Sequence, residues 1–139
     1  MSRNDSEPGL SLPPAGVHLQ LDIREVELHP DRVVLEVPIG PKVHQPYGIL
    51  HGGVSALLAE SAASMGGALS VGPEQIVVGV ELNCSHLRSA SSGVLRAVAT
   101  PIRRGRTLQV WRIELTDDQD RAICEARCTL AVLARSTGA

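Results

Sequence analysis

The segment HGGVSALLAESAASMGGAL, from His51 to Leu69, decides the fold. Small and apolar residues (Ala, Leu, Ser, Met, Gly) occupy every face of the helix that it would form. This composition predicts a long helix that is buried nearly all round. Gly72 and Pro73 end the helical segment. A helix of this kind needs other elements to cover it, and the flanking segments must supply them.

The segments on both sides of this helix alternate apolar and polar residues, which is typical of half-buried strands. Before the helix, one alternating segment begins at Val17 and shifts phase at Val26, and a second runs from Val33 to Ile39. After the helix, strands are expected at residues 76–82, 93–102, 107–115 and 122–132. Turns at residues 103–106 and 117–120 join the last three strands as hairpins.

Two strands, one long apolar helix and four strands predict an α+β fold. Consecutive hairpins imply an antiparallel β-sheet, and one sheet with one buried helix implies that the sheet wraps around the helix. This is the hot-dog architecture. Residues 1–16, rich in Pro, Ser and Gly, are expected to form a flexible N-terminal arm, residues 17–134 the single domain, and residues 135–139 a C-terminal tail.

The composition is typical of a soluble globular protein. Of its 139 residues, 43% are apolar and 20% are charged, and the formal net charge is −2. No run of residues suits a membrane span, and the N-terminus lacks the apolar core of a secretion signal. Only two residues, Tyr47 and Trp111, are aromatic, too few for the stacking surfaces of a module that binds single-stranded nucleic acid.

Three cysteines, Cys84, Cys124 and Cys128, indicate reduced thiols and a cytoplasmic location, because their number is odd and no signal peptide is expected. Cys124 and Cys128 are four residues apart on an expected strand. Their separation of about 13 Å is too long for a disulfide or a shared metal ion. The histidines show no metal-binding spacing, and we predict no metal.

Glu60 is the only Asp, Glu, Lys or Arg between Lys42 and Glu74, and it lies in the middle of the expected helix. A carboxylate among small apolar side chains is costly to desolvate, so its pKa should rise or it should find a partner. Either situation marks a general base or a nucleophile. The alternative is that Glu60 faces solvent at the edge of the helix.

His51, Gly52 and Gly53 open the helix. Backbone N–H groups at a helix start point outward with the positive end of the helix dipole, and glycine lets another group approach closely. We therefore expect the N–H groups of Gly52 and Gly53 to form an oxyanion hole for a carbonyl oxygen. The alternative is a tight turn between loop and helix, which pairs of glycines also form.

The spacing of these two features predicts a dimer. Gly52 and Glu60 are eight residues apart, about 12 Å along one helix, so one carbonyl group cannot contact both. Glu60 must then come from a second, antiparallel copy, as in an obligate two-fold dimer with sites at the interface. Small residues on the helix would permit the close approach of packed elements: Ala62, Ala63, Gly66 and Gly67.

Six arginines and no acid occur between Cys84 and Ile113: Arg88, Arg96, Arg103, Arg104, Arg106 and Arg112. Arginine favours phosphate because of its planar fork of donors. This segment therefore predicts that the substrate carries a polyphosphate group. The alternative is a solvated surface on a hairpin.

Three stretches resemble one known family: HQPYGILHGGVSALLAESAAS, VGVELNCSHLRSASSG and PIRRGRTLQVWRIEL. They are similar to the hot-dog thioesterases of the phenylacetate-degradation (PaaI-type) group, which includes one class of 4-hydroxybenzoyl-CoA thioesterases. The resemblance extends over about residues 17–134. It implies hydrolysis of an acyl-CoA thioester to the free acid and CoA, without a cofactor, by a homodimer that commonly pairs into a homotetramer.

The resemblance also implies roles for individual residues. Glu60 would be the nucleophile or general base, and the N–H of Gly52 would polarise the thioester carbonyl. The other residues implied near the reacting group are His51, Gln45 and Ser64. The arginines implied to meet the CoA phosphates are Arg88, Arg103, Arg104 and Arg106. Apart from the resemblance, the position of Tyr47 close to the two glycines suits either the border of the acyl pocket or a packing role.

Two other functions remain open on the same fold. A hot-dog dehydratase or hydratase also uses a loop histidine and a helix acid, but its Asn-Pro-x-His-x-Asp motif is absent. A non-catalytic module that binds acyl-CoA would not need Glu60, Gln45 and Ser64 together. An α/β-hydrolase is excluded because the chain is short and lacks the Gly-x-Ser-x-Gly motif.

Overall fold

The computed structural model of the chain describes residues 16–136, so the expected arm at residues 1–16 lies outside it except for residue 16, and so does the end of the tail. A 3-10 turn at Pro41–Val43 precedes the long helix. The helices and strands are α1 (Val17–Gln20), β1 (Arg24–His29), β2 (Arg32–Pro38), α2 (Gly52–Leu69), β3 (Gln75–His86), β4 (Val94–Arg104), β5 (Leu108–Thr116) and β6 (Ala122–Ala134).

The six strands form one antiparallel sheet in the order β1-β2-β4-β5-β6-β3, and α2 packs against all six. Buried residues recur along the central strands β2, β4, β5 and β6, where they form the core against the helix, whereas no residue of β1 or β3 is fully buried. Among these core residues are Val33, Leu35, Val37, Leu95, Ala97, Ala99, Trp111, Ile113, Leu115, Cys124, Ala126, Cys128 and Leu130. The predicted α+β hot-dog fold is confirmed. Within residues 16–136, no helix is long and apolar enough to cross a membrane.

The strand predicted from Val17 is wrong at its start. Residues 17–20 form the short helix α1, closed by the N–H of Leu21 donating to the carbonyl oxygen of Val17 at 3.0 Å. Asp22, at φ 58°, turns the chain into β1, which begins only at Arg24. The apolar residues at 21 and 23 pack against the core from this connection. The shift expected at Val26 is confirmed as a β-bulge between residues 25 and 27.

The prediction that α2 is buried nearly all round is also wrong for the single chain. The sheet covers one side of the helix, and the opposite side keeps an open stripe. Gly53 and Glu60 are exposed there, and the half-buried members of the stripe are Ala56, Leu57, Ser61, Ser64 and Ala68. The contact between α1 and α2 includes a 2.8 Å hydrogen bond between His18 Nε2 and Ser61 Oγ. Glu60 therefore lies on a face that a second molecule could reach.

The small residues of α2 have a different role from the predicted one. A Cβ on Gly66 would lie 2.5 Å from Cη2 of Trp111, and a Cβ on Gly67 would lie 2.5 Å from Cδ1 of Leu130. The indole Nε1 of Trp111 donates to Gln109 Oε1 at 2.8 Å, and both side chains pack against these two glycines. Ala62 and Ala63 are likewise fully buried. These residues let the chain's own sheet approach the helix, so they do not serve a partner.

Candidate functional site

The start of α2 is capped by its own histidine. His51 is the N-cap residue, and its Nδ1 accepts a hydrogen bond from the N–H of Gly53 at 2.8 Å. The N–H of Gly53 is therefore occupied, and the expected pair of oxyanion donors is reduced to one. The N–H of Gly52 has no hydrogen-bond partner within residues 16–136. This leaves Gly52 as the outward-pointing donor at the positive end of the helix.

The cap also fixes which ring nitrogen of His51 carries a proton. A nitrogen that accepts a hydrogen bond carries none, so in the neutral ring the proton is on Nε2. His51 is exposed, and its Nε2–H is available to donate to a substrate. In this state the ring offers no free nitrogen that could abstract a proton.

A second histidine, which the sequence analysis did not single out, lies at the same place. The imidazole of His86, at the end of β3, packs over Gly52, where a Cβ would lie 3.0 Å from its Cε1 and 3.1 Å from its Nε2. His86 is exposed and lies within one of the stretches that carry the family resemblance. Only the pairing of β3 with the helix start reveals the contact, because 34 positions separate the two residues in the chain.

Gln45 belongs to the loop that leads into the helix. The loop is closed by the N–H of His51, which donates to the carbonyl of Val43 at 2.8 Å. The side-chain oxygen of Gln45 accepts a hydrogen bond from the N–H of Tyr47, which leaves its amide nitrogen as the donor end of the side chain. Tyr47 is 89% exposed at the loop tip, where its ring has no packing role in the single chain.

Glu60 lies against β3. The atoms nearest to a Cβ built on Gly79 all belong to the Glu60 side chain. The carboxylate makes no hydrogen bond or ion pair within residues 16–136, and the same is true of the Ser64 hydroxyl one turn later. Among the residues that the structure describes, Glu60 therefore has neither the partner nor the burial that was expected, and its side chain is exposed.

The two halves of the expected site are separated within one chain. The helix α2 and the strand β3 run in opposite directions, so Gly52 meets His86 whereas Glu60 meets Gly79. The contact points on β3 are seven residues apart, and the helix positions are about 12 Å apart. The structure thus does not bring Gly52 and Glu60 of the same chain together.

The arginines that were expected to meet phosphate lie at two ends of the molecule. Arg88 follows His86 and lies near the start of α2. Arg103, Arg104 and Arg106 lie beyond the other end of the helix, about 27 Å away along its 18 residues. Arg104 is engaged there, since its guanidinium donates to Pro30 O (2.9 Å), Ser70 Oγ (3.3 Å) and Asp31 Oδ1 (2.7 Å).

Of the remaining arginines in this segment, two pair with acids on the sheet surface. Arg112 contacts Glu125 at 2.6 Å and Glu114 at 2.8 Å, and Arg96 lies 3.9 Å from Glu36. Arg88, Arg103 and Arg106 are exposed and make no ion pair within residues 16–136. Among the arginines between Cys84 and Ile113, these three remain available to a ligand.

The cysteines are not candidates for nucleophiles. Desolvation in the core raises the pKa of Cys128 to about 12, with a smaller contribution from the nearby Glu60 carboxylate. Desolvation likewise raises the pKa of Cys124 to about 12, and the neighbouring thiol of Cys84 adds to the shift. At neutral pH these thiols stay protonated, and a protonated thiol is a poor nucleophile.

These two raised pKa values predict a loss of stability in alkali. A thiol titrates near 9 when unfolded and near 12 in the fold, so the stabilisation is complete below about pH 9 and is lost as pH rises towards 12. We expect the urea midpoint of unfolding to fall between pH 9 and 11. It should fall less steeply in the double variant Cys124→Ala/Cys128→Ala. Equal slopes in the two proteins would contradict the assignment.

With this geometry established, comparison with known proteins gives a consistent result. A family model described as the thioesterase superfamily matches residues 47–124. The chain is 44% identical to the 1,4-dihydroxy-2-naphthoyl-CoA hydrolase of Listeria monocytogenes, over 84% of this chain and 95% of the relative. It is 42% identical to the proofreading thioesterase EntH of Cronobacter turicensis, over 81% and 82% of the two chains.

A solved structure agrees with the sequence comparison. The crystal structure of a thioesterase from Haemophilus influenzae superposes with a TM-score of 0.82 at 38% identity, over 84% of this chain and 82% of that one. The family match spans the end of the loop, the whole of α2 and the strands β3, β4 and β5. The chain therefore belongs to the thioesterase superfamily, as a hot-dog enzyme that hydrolyses thioesters.

Proposed function

We propose that the protein hydrolyses an acyl-CoA thioester at a site shared between two copies of the chain. The N–H of Gly52 in one copy binds the thioester carbonyl oxygen, and Glu60 of the other copy is the nucleophile or the general base for water. The observation that carries this proposal is that the N–H of Gly52 and the carboxylate of Glu60, which both lack a partner within residues 16–136, are far apart in one chain.

The edge strand β3 supports the pairing of two copies. It is twelve residues long, lies at the end of the sheet and exposes Val78 (40%) and Val80 (57%). A long exposed edge is a template for pairing with another strand. Antiparallel pairing of β3 with its own copy, in a register centred between residues 82 and 83, would place Gly79 of one chain opposite His86 of the other. Glu60 of one copy would then approach Gly52 of its partner, which supports a homodimer.

The remaining groups suit acyl transfer to water. The reaction needs a donor to the oxyanion, a carboxylate and a water molecule, because a thioester carbonyl is already electrophilic. The Nε2–H of His51 and the amide nitrogen of Gln45 are further donors on the Gly52 side. Ser64, one turn beyond Glu60, can hydrogen-bond the carboxylate or the water. No cofactor enters this chemistry.

The free arginines offer contacts to the phosphates of CoA. Arg106 lines a groove of about 750 Å³ formed with residues 72–75, Thr107 and residues 132–134, beside the first residue of β3. In an antiparallel pair this end of β3 lies towards the His86 end of the partner. The site would then receive Arg88 from the copy that supplies Gly52, and Arg103 and Arg106 from the copy that supplies Glu60. Arg104 is the least suited, because it is already engaged.

The relatives support the CoA thioester as the substrate class. One is named for the hydrolysis of an aromatic acyl-CoA and another as a proofreading thioesterase. For this chain we propose a CoA thioester whose acyl group lies against the open stripe of α2 near Leu57, with Tyr47 at its border. The assembly of dimers into a tetramer and a cytoplasmic location belong to the same proposal.

The state of His51 favours hydrolysis over dehydration. A dehydratase of this fold needs its histidine to abstract a proton, whereas the cap leaves His51 with one nitrogen accepting and the other protonated. A non-catalytic binding module remains distinguishable by experiment, since it would hold acyl-CoA without releasing free CoA.

We expect the native protein to release free CoA from a panel of aromatic and aliphatic acyl-CoA thioesters. Release is measured with a thiol reagent, and binding is measured by calorimetry with CoA itself. Catalytic release well above the spontaneous rate supports hydrolysis, and the panel ranks the acyl groups. Binding of CoA without release from any member of the panel would contradict the proposal and favour a binding module.

A further inference from the structure

We propose that Gly79 is a positioning residue, whose missing side chain leaves the space in which the Glu60 carboxylate lies. A Cβ built on Gly79 would collide with Glu60 Oε1, and it would lie 3.1 Å from Cδ and 3.5 Å from Cγ of the same side chain. These three are the nearest atoms. Any larger residue at position 79 therefore meets the reactive end of Glu60 before anything else.

Neither backbone conformation nor core packing explains glycine at this position. Gly79 has no positive φ, in contrast to Gly48 and Gly93, so an alanine can adopt its backbone conformation. It pairs with Leu130 of β6 at the edge of a β-bulge, where the register shifts between residues 79 and 81, and its φ leaves that bulge open to alanine. Gly79 is exposed, so an added methyl group fills no core space. What the glycine provides is room for Glu60.

The position of Glu60 depends on this contact because little else holds it. The carboxylate has no hydrogen bond within residues 16–136, and it lies close enough to the buried thiol of Cys128 to contribute to the raised pKa of that thiol. Gly79 therefore forms the wall against which the side chain rests. A displacement of about 1 Å at a reacting group can lower a rate about a hundredfold. This consequence for rate relies on the proposed role of Glu60 in hydrolysis.

The test is the variant Gly79→Ala. We expect kcat for CoA release to fall about 10- to 100-fold while KM changes less than about twofold, since the carboxylate moves but the CoA contacts remain. The matched control is Gly40→Ala, because no atom lies within 4 Å of a Cβ at position 40 and its φ of −162° is extended backbone. The control should keep the native kcat, and both variants should keep the native melting temperature.

A second variant separates positioning from a general structural effect. Aspartate is one methylene shorter than glutamate and withdraws from position 79, so Gly79→Ala should cost much less in a Glu60→Asp background than in the native one. A loss of kcat that is equal in both backgrounds would overturn the proposal. Native kcat in Gly79→Ala would overturn it as well.

A crystal structure of Gly79→Ala gives a readout that does not depend on activity. We expect the Glu60 carboxylate to move by about 1 Å or more relative to the native protein, while the backbone of β3 stays in place. An unmoved carboxylate would refute the positioning role. If the native protein releases no CoA but the carboxylate moves, the proposed function fails while the geometric role of Gly79 stands.

Discussion

Glu60→Gln is expected to lower the release of CoA about a thousandfold. Glutamine has nearly the same shape as glutamate, but it can neither attack a carbonyl nor accept a proton from water. General-base catalysis contributes about 10² to 10⁴ in rate, and loss of a nucleophile costs at least as much. Because the side chain is exposed in the single chain, the fold should be unaffected. The measurement is kcat with the best substrate of the panel, together with the melting temperature.

Glu81→Gln is the matched control. Glu81 is also an exposed carboxylate near Gly79, but it accepts hydrogen bonds from Asn83 Nδ2 at 3.0 Å and Thr129 Oγ1 at 3.4 Å on the surface of the sheet. Its replacement should leave kcat within about twofold, since an exposed charge has little effect at a distance. Equal losses in both variants would point to the net charge of this region. Full activity of Glu60→Gln would remove the carboxylate from the chemistry.

The order of the elements could be predicted from the sequence because hydrophobic period reports burial. The observed core contains the apolar residues that recur with a period of two in β2, β4, β5 and β6. It also contains the small and apolar residues of α2 that face the sheet. The same signal failed at Val17. Leu21 and Ile23 have the spacing of a strand, yet they pack on the core from a connection that a short helix begins. The hydrophobic period alone cannot distinguish apolar residues of a strand from apolar residues of a connection that packs on the core.

The sequence predicts those residues of the candidate site that stand out from their immediate neighbours in the chain. An isolated carboxylate and a pair of glycines at a helix start are local signals, and both lead to residues of the site. The contributions of β3 are not local, because the contacts of Gly79 with Glu60 and of His86 with Gly52 depend on how the strand crosses the helix. The hydrogen bond that occupies Gly53 requires the conformation of His51, which the sequence does not specify.

The small residues of α2 show how one signal can have two meanings. Gly66 and Gly67 indicate close packing, and they do pack closely, but against Trp111 and Leu130 of the same chain. The evidence for a partner lies elsewhere, in the open stripe around Glu60 and the free edge of β3. The dimer prediction therefore relies on the 12 Å spacing along the helix and not on the small residues.

The crossed site predicts that two inactive variants restore each other when they share a dimer. Gly52→Pro removes the N–H at the first position of α2, a position where proline is well tolerated. His51, with φ −69° and ψ 127°, already has the conformation that a following proline requires. The loss of one oxyanion donor costs about 10² to 10³ in kcat. Gly52→Ala is the matched control, because it adds the same contact with His86 but keeps the N–H.

In a mixed dimer of Gly52→Pro and Glu60→Gln chains, the two defects fall in the same site. The other site combines Gly52 from the Gln-bearing chain with Glu60 from the Pro-bearing chain and is intact. We expect mixed dimers, isolated through two different affinity tags, to recover about half of the native kcat per dimer, whereas each parent dimer is nearly inactive. A site built within one chain predicts no recovery, since every chain would carry one defect. Purified mixed dimers that stay inactive would therefore contradict the shared site. A native chain that sediments as a monomer while fully active would contradict it as well.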